Sequence, residues 1–227
     1  MGMLKLEQLV NYAGRVELST IDWIGNAAYV IFLNWCPMRC PFCHNAQLRT
    51  KENWVPFDEI TKGILEALPF VNHLVISGGE PAAQPDACRS LIEFGHNIGM
   101  GVAVETSGCL PLVEGFDKVM VSIPPSLQRP LYDSYTGFPA GYDNLLSNLR
   151  QLDPRSSEVR LIMFPEFQFD IRSMGAVKGL PIRIMIGKGS GHGMSTQEEL
   201  RGFGFELYEY LGYIRATIET GRMLICP

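Results

Sequence analysis

The sequence predicts an α/β protein with a partial (β/α)6 barrel of the TIM type, and three observations lead to this fold class. Six apolar, strand-like runs alternate with helical stretches between residues 28 and 187. Six repeats over this span give about 31 residues each, which is the size of a βα unit. The runs are nearly continuous in Val, Ile, Met and Leu, as in parallel strands that are covered on both faces.

The six strands are expected within a single domain of 227 residues, a length at which α/β barrels commonly stay undivided. Residues 1–27 are expected to form a short N-terminal cap, residues 28–212 the partial barrel, and residues 213–227 a C-terminal strand or hairpin. The strands are predicted at residues 28–34, 73–77, 101–106, 118–123, 157–163 and 182–187.

Helix signals fill the gaps between these strands. Apolar residues recur at helical spacing over residues 57–68. Pro85 opens the next helix, in which Cys88 shares an apolar face and is therefore expected to be a packed core thiol rather than a ligand. Two further helices are indicated by the leucine stripe of residues 145–152 and by a capping box at residues 195–198.

The composition bounds the class of protein. A net charge of −5 with no long basic run argues against nonspecific binding to nucleic acid. The sequence has no signal-peptide pattern and no apolar run of membrane-spanning length, so a cytoplasmic protein is expected. Three of the six cysteines lie within residues 36–43, and this clustering favours a metal site in a reducing compartment over a set of disulfides.

The cysteine cluster follows the first predicted strand and has the spacing C-x3-C-x2-C, with Cys36, Cys40 and Cys43 as its thiols. Such short gaps let one loop wrap its thiolates around a single centre. Because no fourth cysteine lies nearby in the sequence, a four-iron cluster held here would keep one iron free of protein sulfur, as catalytic metal sites keep an open position. The alternative from the residues alone is a zinc site of three cysteines completed by a distant histidine.

The loop resembles the signature C-x3-C-x-aromatic-C of the radical S-adenosylmethionine (SAM) enzymes, with Phe42 as the aromatic residue. The second motif of that family is matched by Ser77-Gly-Gly-Glu-Pro81, where the second strand should end. Within the family, Cys43-His44-Asn45 and the upstream Ser19-Thr-Ile-Asp22 are most similar to the activases of glycyl-radical enzymes, especially the activating protein of anaerobic ribonucleotide reductase. The resemblance covers about residues 10–125 well and the remainder by pattern.

The resemblance implies a [4Fe-4S] cluster held by the three cysteines, with SAM on the remaining iron. Reductive cleavage of SAM would give methionine and a 5′-deoxyadenosyl radical that abstracts hydrogen from a substrate, with the protein orienting the cofactor. The segment Gly78, Gly79 and Glu80 is implied to hold the methionine end of SAM, because glycines permit close backbone approach. The other implied contacts are the backbone of Phe42 toward the adenine, and Glu105, Thr106 and Ser107 toward the ribose or sulfonium.

The unusual residue clusters all fall directly after predicted strands, which is where the active sites of barrels are built. One of them is the glycine-rich loop of residues 187–193, which is expected either to close over the site when a ligand arrives, with Lys188 and His192 near SAM or the substrate, or to be a surface loop without contact to a ligand. Beside the metal loop, a capping role together with Asn45 is favoured for His44 over metal binding. Arg160 is expected either to face the barrel interior or to form a structural salt bridge. No residue is assigned a catalytic role, and this includes His44, Arg160, Lys188 and His192.

Three functions are compatible with the sequence. The first is an activase that abstracts hydrogen from a glycine of a glycyl-radical enzyme, with an electron donor such as flavodoxin or ferredoxin and no contact with membrane or nucleic acid. The second is a radical SAM enzyme that acts on a small molecule in cofactor or modified-base biosynthesis, similar to 7-carboxy-7-deazaguanine synthase. The third is a zinc-binding or electron-transfer module without turnover.

Two departures from the family pattern weaken the assignment of an activase, and the first of them favours the second function. Glycyl-radical activases usually carry Asp-Ile-Lys at the end of the fourth strand, whereas this chain has Ser122-Ile-Pro124. A carboxylate and a lysine are therefore missing from that position. The proline that follows the Cys-His-Asn of the family is Ala46 in this sequence.

Overall fold

The structure of the protein, a computed structural model, describes residues 8–41, 43–163, 171–186 and 223–225. The chain divides into two compact units. The prediction of a single domain stays a prediction. The first unit comprises Met1–Pro37, Asn45–Thr106 and Leu112–Val119, and the second comprises Met38–His44, Ser107–Pro111 and Met120–Pro227.

The first unit is a sheet of antiparallel and parallel strands with two helices. Its strands are β1 (Leu9–Ser19), β2 (Ala28–Leu33), β3 (Trp54–Pro56), β4 (His73–Gly78) and β5 (Gly101–Thr106). Strand β1 pairs antiparallel with β2 and β3, whereas β2, β4 and β5 run parallel in that order. Helices α1 (Phe57–Ala67) and α2 (Pro85–Asn97) connect the parallel strands, so β2-α1-β4-α2-β5 forms consecutive βα repeats.

The second unit continues this alternation. Strand β6 (Lys118–Ile123) begins in the last residues of the first unit and ends in the second. It is followed by α3 (Arg129–Thr136), α4 (Gly141–Gln151), β7 (Ser157–Met163), β8 (Ile182–Ile186) and β9 (Met223–Ile225). Strands β7, β8 and β9 are parallel neighbours in that order. The α/β class that the sequence predicts is confirmed, and all six predicted strands are present to within one residue at either end.

Two strands and one α-helix of the described structure were not predicted. The expected N-terminal cap contains β1, an 11-residue strand whose residues between Ala13 and Leu18 are mostly exposed. This strand lacks a continuous apolar run because few of its side chains are buried, although both of its edges pair with neighbouring strands. The other two are the three-residue strand β3 and helix α3, which is rich in residues of modest helix propensity.

The predictions for the end of the chain are tested in part. Strand β9 occupies the expected C-terminal strand, and its partner is β8 in parallel. The remainder of the predicted hairpin, the helix after residue 195 and the loop of residues 187–193 lie outside the described residues. No helix in the described ranges is long and apolar enough to cross a membrane.

The hydrophobic core of the first unit lies between its parallel strands and their helices. Leu74 of β4 and Leu91 of α2 are fully buried, as is Ile64 of α1. Each such side chain contributes about 1.5–3 kcal/mol by leaving water. Cys88 is 1% exposed within this core and its Sγ donates to the Pro81 carbonyl at 3.3 Å. The prediction that Cys88 is a packed core thiol is therefore confirmed.

Candidate functional site

The cysteine loop leaves β2 through a residue in an unusual backbone conformation. Trp35 has a φ of 76°, and within the described ranges it is the single residue other than glycine with positive φ. This left-handed region is unfavourable by about 1–2 kcal/mol for a residue with a Cβ atom. The Trp35 amide donates to the Leu48 carbonyl at 2.7 Å, and the Cys36 amide donates to the Arg49 carbonyl at 3.3 Å. The returning end of the loop thus fixes the backbone at Cys36.

The other two cysteines of the loop belong to the second unit. The Arg39 amide donates to the Thr136 carbonyl at 2.6 Å, which attaches this part of the loop to the end of α3. The Cys43 amide donates to the Cys40 carbonyl at 3.3 Å, which closes a tight turn between these thiols. Phe42, the predicted adenine contact, lies outside the described residues.

The chemistry of the three thiols suits a metal cluster. Cys36, Cys40 and Cys43 are partly exposed, and none of them is in a disulfide. Partly accessible thiolates at close spacing are the donors that iron–sulfur clusters use. In the described part of the chain, no group of three or more His, Cys, Asp and Glu side chains is close enough together to hold a metal ion.

The loop residue Asn45 stands at the N-cap position of a short helix after the cysteines. It precedes a short 3-10 helix, Ala46–Leu48, and its carbonyl oxygen accepts from the Leu48 amide at 2.9 Å. Its side chain makes no capping hydrogen bond to that helix. The predicted capping by the Asn45 side chain is therefore not made, and the bond to its carbonyl group is the first hydrogen bond of the 3-10 helix itself.

The second motif lies at the end of β4, directly against the start of the cysteine loop. The Gly79 amide donates to the Leu33 carbonyl and the Glu80 amide to the Trp35 carbonyl, both at 2.8 Å. A Cβ atom at Gly78 would overlap the Leu33 backbone, and one at Gly79 would overlap the carbonyl oxygen of Trp35. The sequence predicts that these glycines allow a close approach of the backbone to a ligand. In the structure they allow a close approach to the backbone of Leu33 and Trp35.

The polar residues at the ends of β4 and β5 are brought together in the first unit. Glu80 is 0% exposed, and its Oε1 accepts from the Thr106 hydroxyl at 2.6 Å and from the Ala82 amide at 3.1 Å. The Ser77 hydroxyl donates to Glu105 Oε2 at 2.8 Å. Four of the residues from the two predicted segments are thus paired across neighbouring strands.

Ser107 and the two residues after it lie in the second unit, where α4 supports the loop that follows β5. The Ser107 hydroxyl accepts from the Cys109 amide at 3.4 Å. The side-chain amide of Asn148 donates to the carbonyl groups of Gly108 and Leu110, both at 2.8 Å. The two hydrogen bonds from the half-buried side chain of Asn148 therefore fix this loop to α4.

A cluster of three amide side chains next to the start of the cysteine loop was missed by sequence reasoning; Asn11 and Asn34 are buried, and Gln84 is half-buried. Gln84 Oε1 accepts from the Asn11 amide at 2.9 Å, and Gln84 Nε2 donates to the carbonyl groups of Asn11 and Asn34 at 2.9 and 3.1 Å. Asn34 Nδ2 donates to Asn11 Oδ1 at 3.1 Å. The position of Asn34 before the loop and of Gln84 after the second motif is a signal that could have indicated them.

The second unit contains a buried group of three charges on its parallel strands. Arg183 of β8 donates from Nε and Nη2 to the two carboxylate oxygens of Glu158 on β7, at 2.7 and 2.8 Å. Arg160 Nε donates to Glu158 Oε1 at 3.2 Å. Burial raises the pKa of Glu158, but the hydrogen bonds and charges of Arg183 and Arg160 outweigh it and lower the pKa below its usual value. Of the two roles expected for Arg160, the structural salt bridge is present.

Comparison with known proteins supports the reading of both motifs. The family model of the radical SAM superfamily matches residues 30–152. A protein of Methanocaldococcus jannaschii named as a candidate glycyl-radical enzyme activating enzyme is 38% identical over 102 residues, 44% of this chain and 42% of the relative. A 7-carboxy-7-deazaguanine synthase of Synechocystis is 33% identical over 167 residues, 70% of this chain and 66% of the relative. The chain thus spans less than two thirds of the length of either relative.

Solved structures show the same fold at low sequence identity. The structure of TYW1 with a lysine-pyruvate adduct bound superposes with a TM-score of 0.60 at 17% identity, over 83% of this chain and 76% of that chain. Streptococcus suis SuiB bound to its precursor peptide SuiA gives a TM-score of 0.64 at 14% identity, over 87% of this chain and 48% of that chain. The partial TIM-barrel fold that the βα repeats predict is therefore confirmed.

The superfamily uses a [4Fe-4S] cluster and S-adenosylmethionine, so these are the cofactors of this chain, and the zinc alternative is not supported. The matched residues include the whole C-x3-C-x2-C loop, the second motif and the strand ends that carry Glu105 and Thr106. With residues 30–152 of its 227 matched, the chain belongs to the radical SAM superfamily.

Proposed function

We propose that this radical SAM enzyme activates a glycyl-radical enzyme by abstracting a hydrogen atom from a glycine of that partner. The cluster is held by Cys36, Cys40 and Cys43, and the electron comes from a flavodoxin or ferredoxin. When bound, the cluster and SAM supply the reductive cleavage of the sulfonium and the radical that abstracts hydrogen. The protein supplies orientation and the exclusion of competing reactions.

The residues at the ends of β4 and β5 suit the binding of SAM. The amides of Gly79 and Glu80 both donate within the protein, so this segment offers carbonyl oxygens, which can accept from the ammonium group of a ligand. The Glu80 side chain is held by Thr106 and fixes the shape of the segment. We assign Gly78, Gly79 and Glu80 to the methionine end of SAM, Glu105, Thr106 and Ser107 to the ribose or sulfonium, and the backbone of Phe42 to the adenine.

The observation that carries the proposal of a protein partner is the exposure of two tryptophans beside the metal loop. Trp35 opens the loop and is 43% exposed, and Trp54 on β3, shortly after the loop in the chain, is 55% exposed. Exposed tryptophans are enriched at protein interfaces and often dominate their binding energy. A macromolecular substrate needs such a surface, because its glycine must be brought to the metal loop from outside.

The sequence comparisons support the same proposal. The relative in Methanocaldococcus jannaschii and one in Haemophilus influenzae are both named as candidates for glycyl-radical enzyme activation. A relative in Staphylococcus aureus is named a pyruvate formate-lyase-activating enzyme and is 28% identical over 110 residues. These names describe enzymes whose substrate is another protein.

The test is to mix the anaerobically reconstituted enzyme, SAM and a reductant with a candidate glycyl-radical enzyme from the same organism. The expected result is an electron paramagnetic resonance signal of a glycyl radical on the partner. With the partner deuterated at glycine, deuterium should also appear in 5′-deoxyadenosine. SAM cleavage without radical or deuterium transfer from any partner tested would count against the activase function.

A second candidate function is supported by two different observations. The Synechocystis relative, named 7-carboxy-7-deazaguanine synthase, aligns over 70% of this chain. The segment Ser122-Ile-Pro124 at the end of β6 also lacks the carboxylate and lysine that the activase resemblance would lead one to expect. Formation of 7-carboxy-7-deazaguanine by the reconstituted enzyme, with no radical on a protein partner, would establish this alternative.

A further inference from the structure

Gly79 is a glycine for lack of space and not for its backbone conformation. Its φ lies outside the positive region that favours glycine, so an alanine could adopt the same backbone. A Cβ atom there, however, would overlap the carbonyl oxygen of Trp35, whose own backbone is the nearest part of the protein. The atom in the way is main chain, which cannot rotate aside as the end of a side chain could.

Trp35 in turn is held on both sides by hydrogen bonds. Its amide donates to Leu48 at 2.7 Å, and its carbonyl oxygen accepts from the Glu80 amide at 2.8 Å. A left-handed backbone at a residue with a Cβ persists only where the surroundings fix it. The contact between Gly79 and Trp35 therefore helps to hold the conformation of the residue directly before Cys36.

We propose that Gly79 is a positioning residue for the metal loop. The absence of its side chain lets the second motif bind the backbone of Trp35 and thereby fixes Cys36 as a cluster ligand. The inference rests on the proposed function, in which Cys36 is such a ligand. It adds that the second motif is needed to keep the cluster, in addition to the contact with SAM that the resemblance implies.

A second contact from the same segment also holds the chain that leads to Cys36. Gln84 lies five residues after Gly79, and its Nε2 donates to the carbonyl of Asn34 at 3.1 Å and to that of Asn11 at 2.9 Å. Asn34 directly precedes Trp35 and is 1% exposed. Residues 79–84 thus hold two consecutive residues of the chain that leads to Cys36.

The experiment compares Gly79→Ala with Gly175→Ala, measured without SAM. Gly175 also has an ordinary φ, and a Cβ there meets nothing within 4 Å, so it is a matched control. Each variant is reconstituted anaerobically, and the iron content and the rate of iron loss to a chelator are measured. Because overpacking against main chain distorts the loop, iron loss from Gly79→Ala is expected to be about tenfold faster than from wild type. Gly175→Ala is expected to match wild type.

Two further variants separate positioning from a general loss of stability. Leu91→Ala removes a fully buried core side chain and lowers stability away from the loop. It should leave the electron paramagnetic resonance spectrum of the reduced cluster and the iron loss of the folded protein unchanged. Gln84→Leu, which loses the donors to Asn34 and Asn11, should alter both in the same direction as Gly79→Ala. If Gly79→Ala does not fold, the result for Gln84→Leu decides.

The outcomes distinguish this inference from the proposed function. A wild-type chain that binds no iron overturns the cluster assignment, and the inference falls with it. In the opposite case, wild type loads iron and Gly79→Ala has the same iron content and the same rate of iron loss, but binds SAM more weakly. This result overturns the inference and leaves the proposed function standing.

Discussion

The hydroxyl of Thr106 donates a hydrogen bond of 2.6 Å to the carboxyl group of Glu80, and both side chains are almost completely buried. This pair joins the end of β5 to the second motif at the end of β4. Because buried acceptors are costly to leave unsatisfied, the bond fixes the side chain of Glu80 and with it the backbone of the motif. Two residues that the sequence analysis assigns to SAM therefore also depend on each other.

Thr106→Val tests this relationship, since valine has the same shape but no hydroxyl. The free energy of unfolding is expected to fall by about 1–3 kcal/mol, because a buried oxygen of Glu80 loses a donor. Thr106→Ser keeps the hydroxyl and should recover much of the loss. Denaturant unfolding of the three proteins gives the comparison, and a stability of Thr106→Val equal to that of wild type would contradict the role of the bond.

Replacement of a proposed cluster ligand is expected to have a different signature. Cys36→Ala, Cys40→Ala and Cys43→Ala should each abolish the absorption of the cluster together with SAM cleavage, because three thiolates are the donors that the loop offers. Cys88→Ala should keep both, because Cys88 is in the core. Absorption spectra and iron analysis after anaerobic reconstitution check this. Stoichiometric zinc without an iron cluster would contradict the assignment of the three cysteines as ligands of an iron–sulfur cluster.

The parallel strands could be predicted because their signal is local. Strand β2 is buried at five of its six residues, and a strand covered on both faces must be apolar throughout. Strand β1 could not be found in the same way. Its exposed Arg15 and Glu17 form an ion pair on the surface, so the sequence there looks like a polar cap. What makes it a strand is its pairing with β2, which is a non-local interaction.

The candidate site likewise has features that are local in the sequence, which could be predicted, and features that depend on distant residues, which could not. The spacing of the cysteines and the Gly-Gly-Glu motif are visible in the sequence, since each lies within one short segment. The contact between Gln84 and Asn11 joins residues 73 positions apart, so their pairing could not be predicted locally, even though Gln84 lies just after a recognisable motif. The left-handed conformation of Trp35 was also unpredictable, because tryptophan has no preference for that region and the surrounding hydrogen bonds impose it.

The reactivity of Cys88 gives a direct test of its environment. Burial raises the pKa of its thiol to about 12, with a smaller contribution from Glu80. At pH 8 only about one molecule in ten thousand would carry the reactive thiolate, and the side chain is 1% exposed. Iodoacetamide should therefore modify Cys88 only after unfolding, as mass spectrometry of the peptides can show. Modification in the native apo-protein as fast as at Cys43 would contradict this environment.

Glu158 is expected to make stability depend on acidity. Its pKa is lowered by the folded environment, so its contribution is fully present above its usual value of 4.5 and is lost as the pH falls through the lowered value. Glu158→Gln leaves the guanidinium groups of Arg160 and Arg183 without their carboxylate and should cost about 3–5 kcal/mol near neutral pH. The loss in stability of wild type below pH 4.5 should be smaller in this variant.

An exposed ion pair provides the control for that measurement. Glu17 pairs with Arg15 at 3.0 Å, but their side chains are 69% and 45% exposed. Solvent screens such a pair, so Glu17→Gln should change the free energy of unfolding by less than about 1 kcal/mol. The free energies of unfolding are measured by denaturant titration between about pH 7 and pH 3. If Glu158→Gln and Glu17→Gln change them equally, the burial of Glu158 with its two arginines does not contribute to stability.

The exposed tryptophan of β3 gives a prediction that separates partner binding from chemistry. Trp54→Ala should reduce the rate of radical formation on a glycyl-radical partner at least about tenfold, as loss of a tryptophan hot spot commonly does. SAM cleavage without the partner, driven by a chemical reductant, should stay at the wild-type rate, because Trp54 is neither a proposed cluster ligand nor a proposed SAM contact. The two rates are measured on the same reconstituted sample.

Phe70→Ala is the matched control for this prediction. Phe70 is also an exposed aromatic residue, 73% accessible, but it precedes β4 and so lies toward the amino ends of the parallel strands. The functional loops of a barrel lie at the carboxyl ends, so Phe70 should not contact the partner. If Trp54→Ala and Phe70→Ala both leave radical formation unchanged, the exposed tryptophan gives no support for a protein partner. A small-molecule substrate then becomes the better explanation, because its site would be enclosed by the strand ends and would need no exposed aromatic surface.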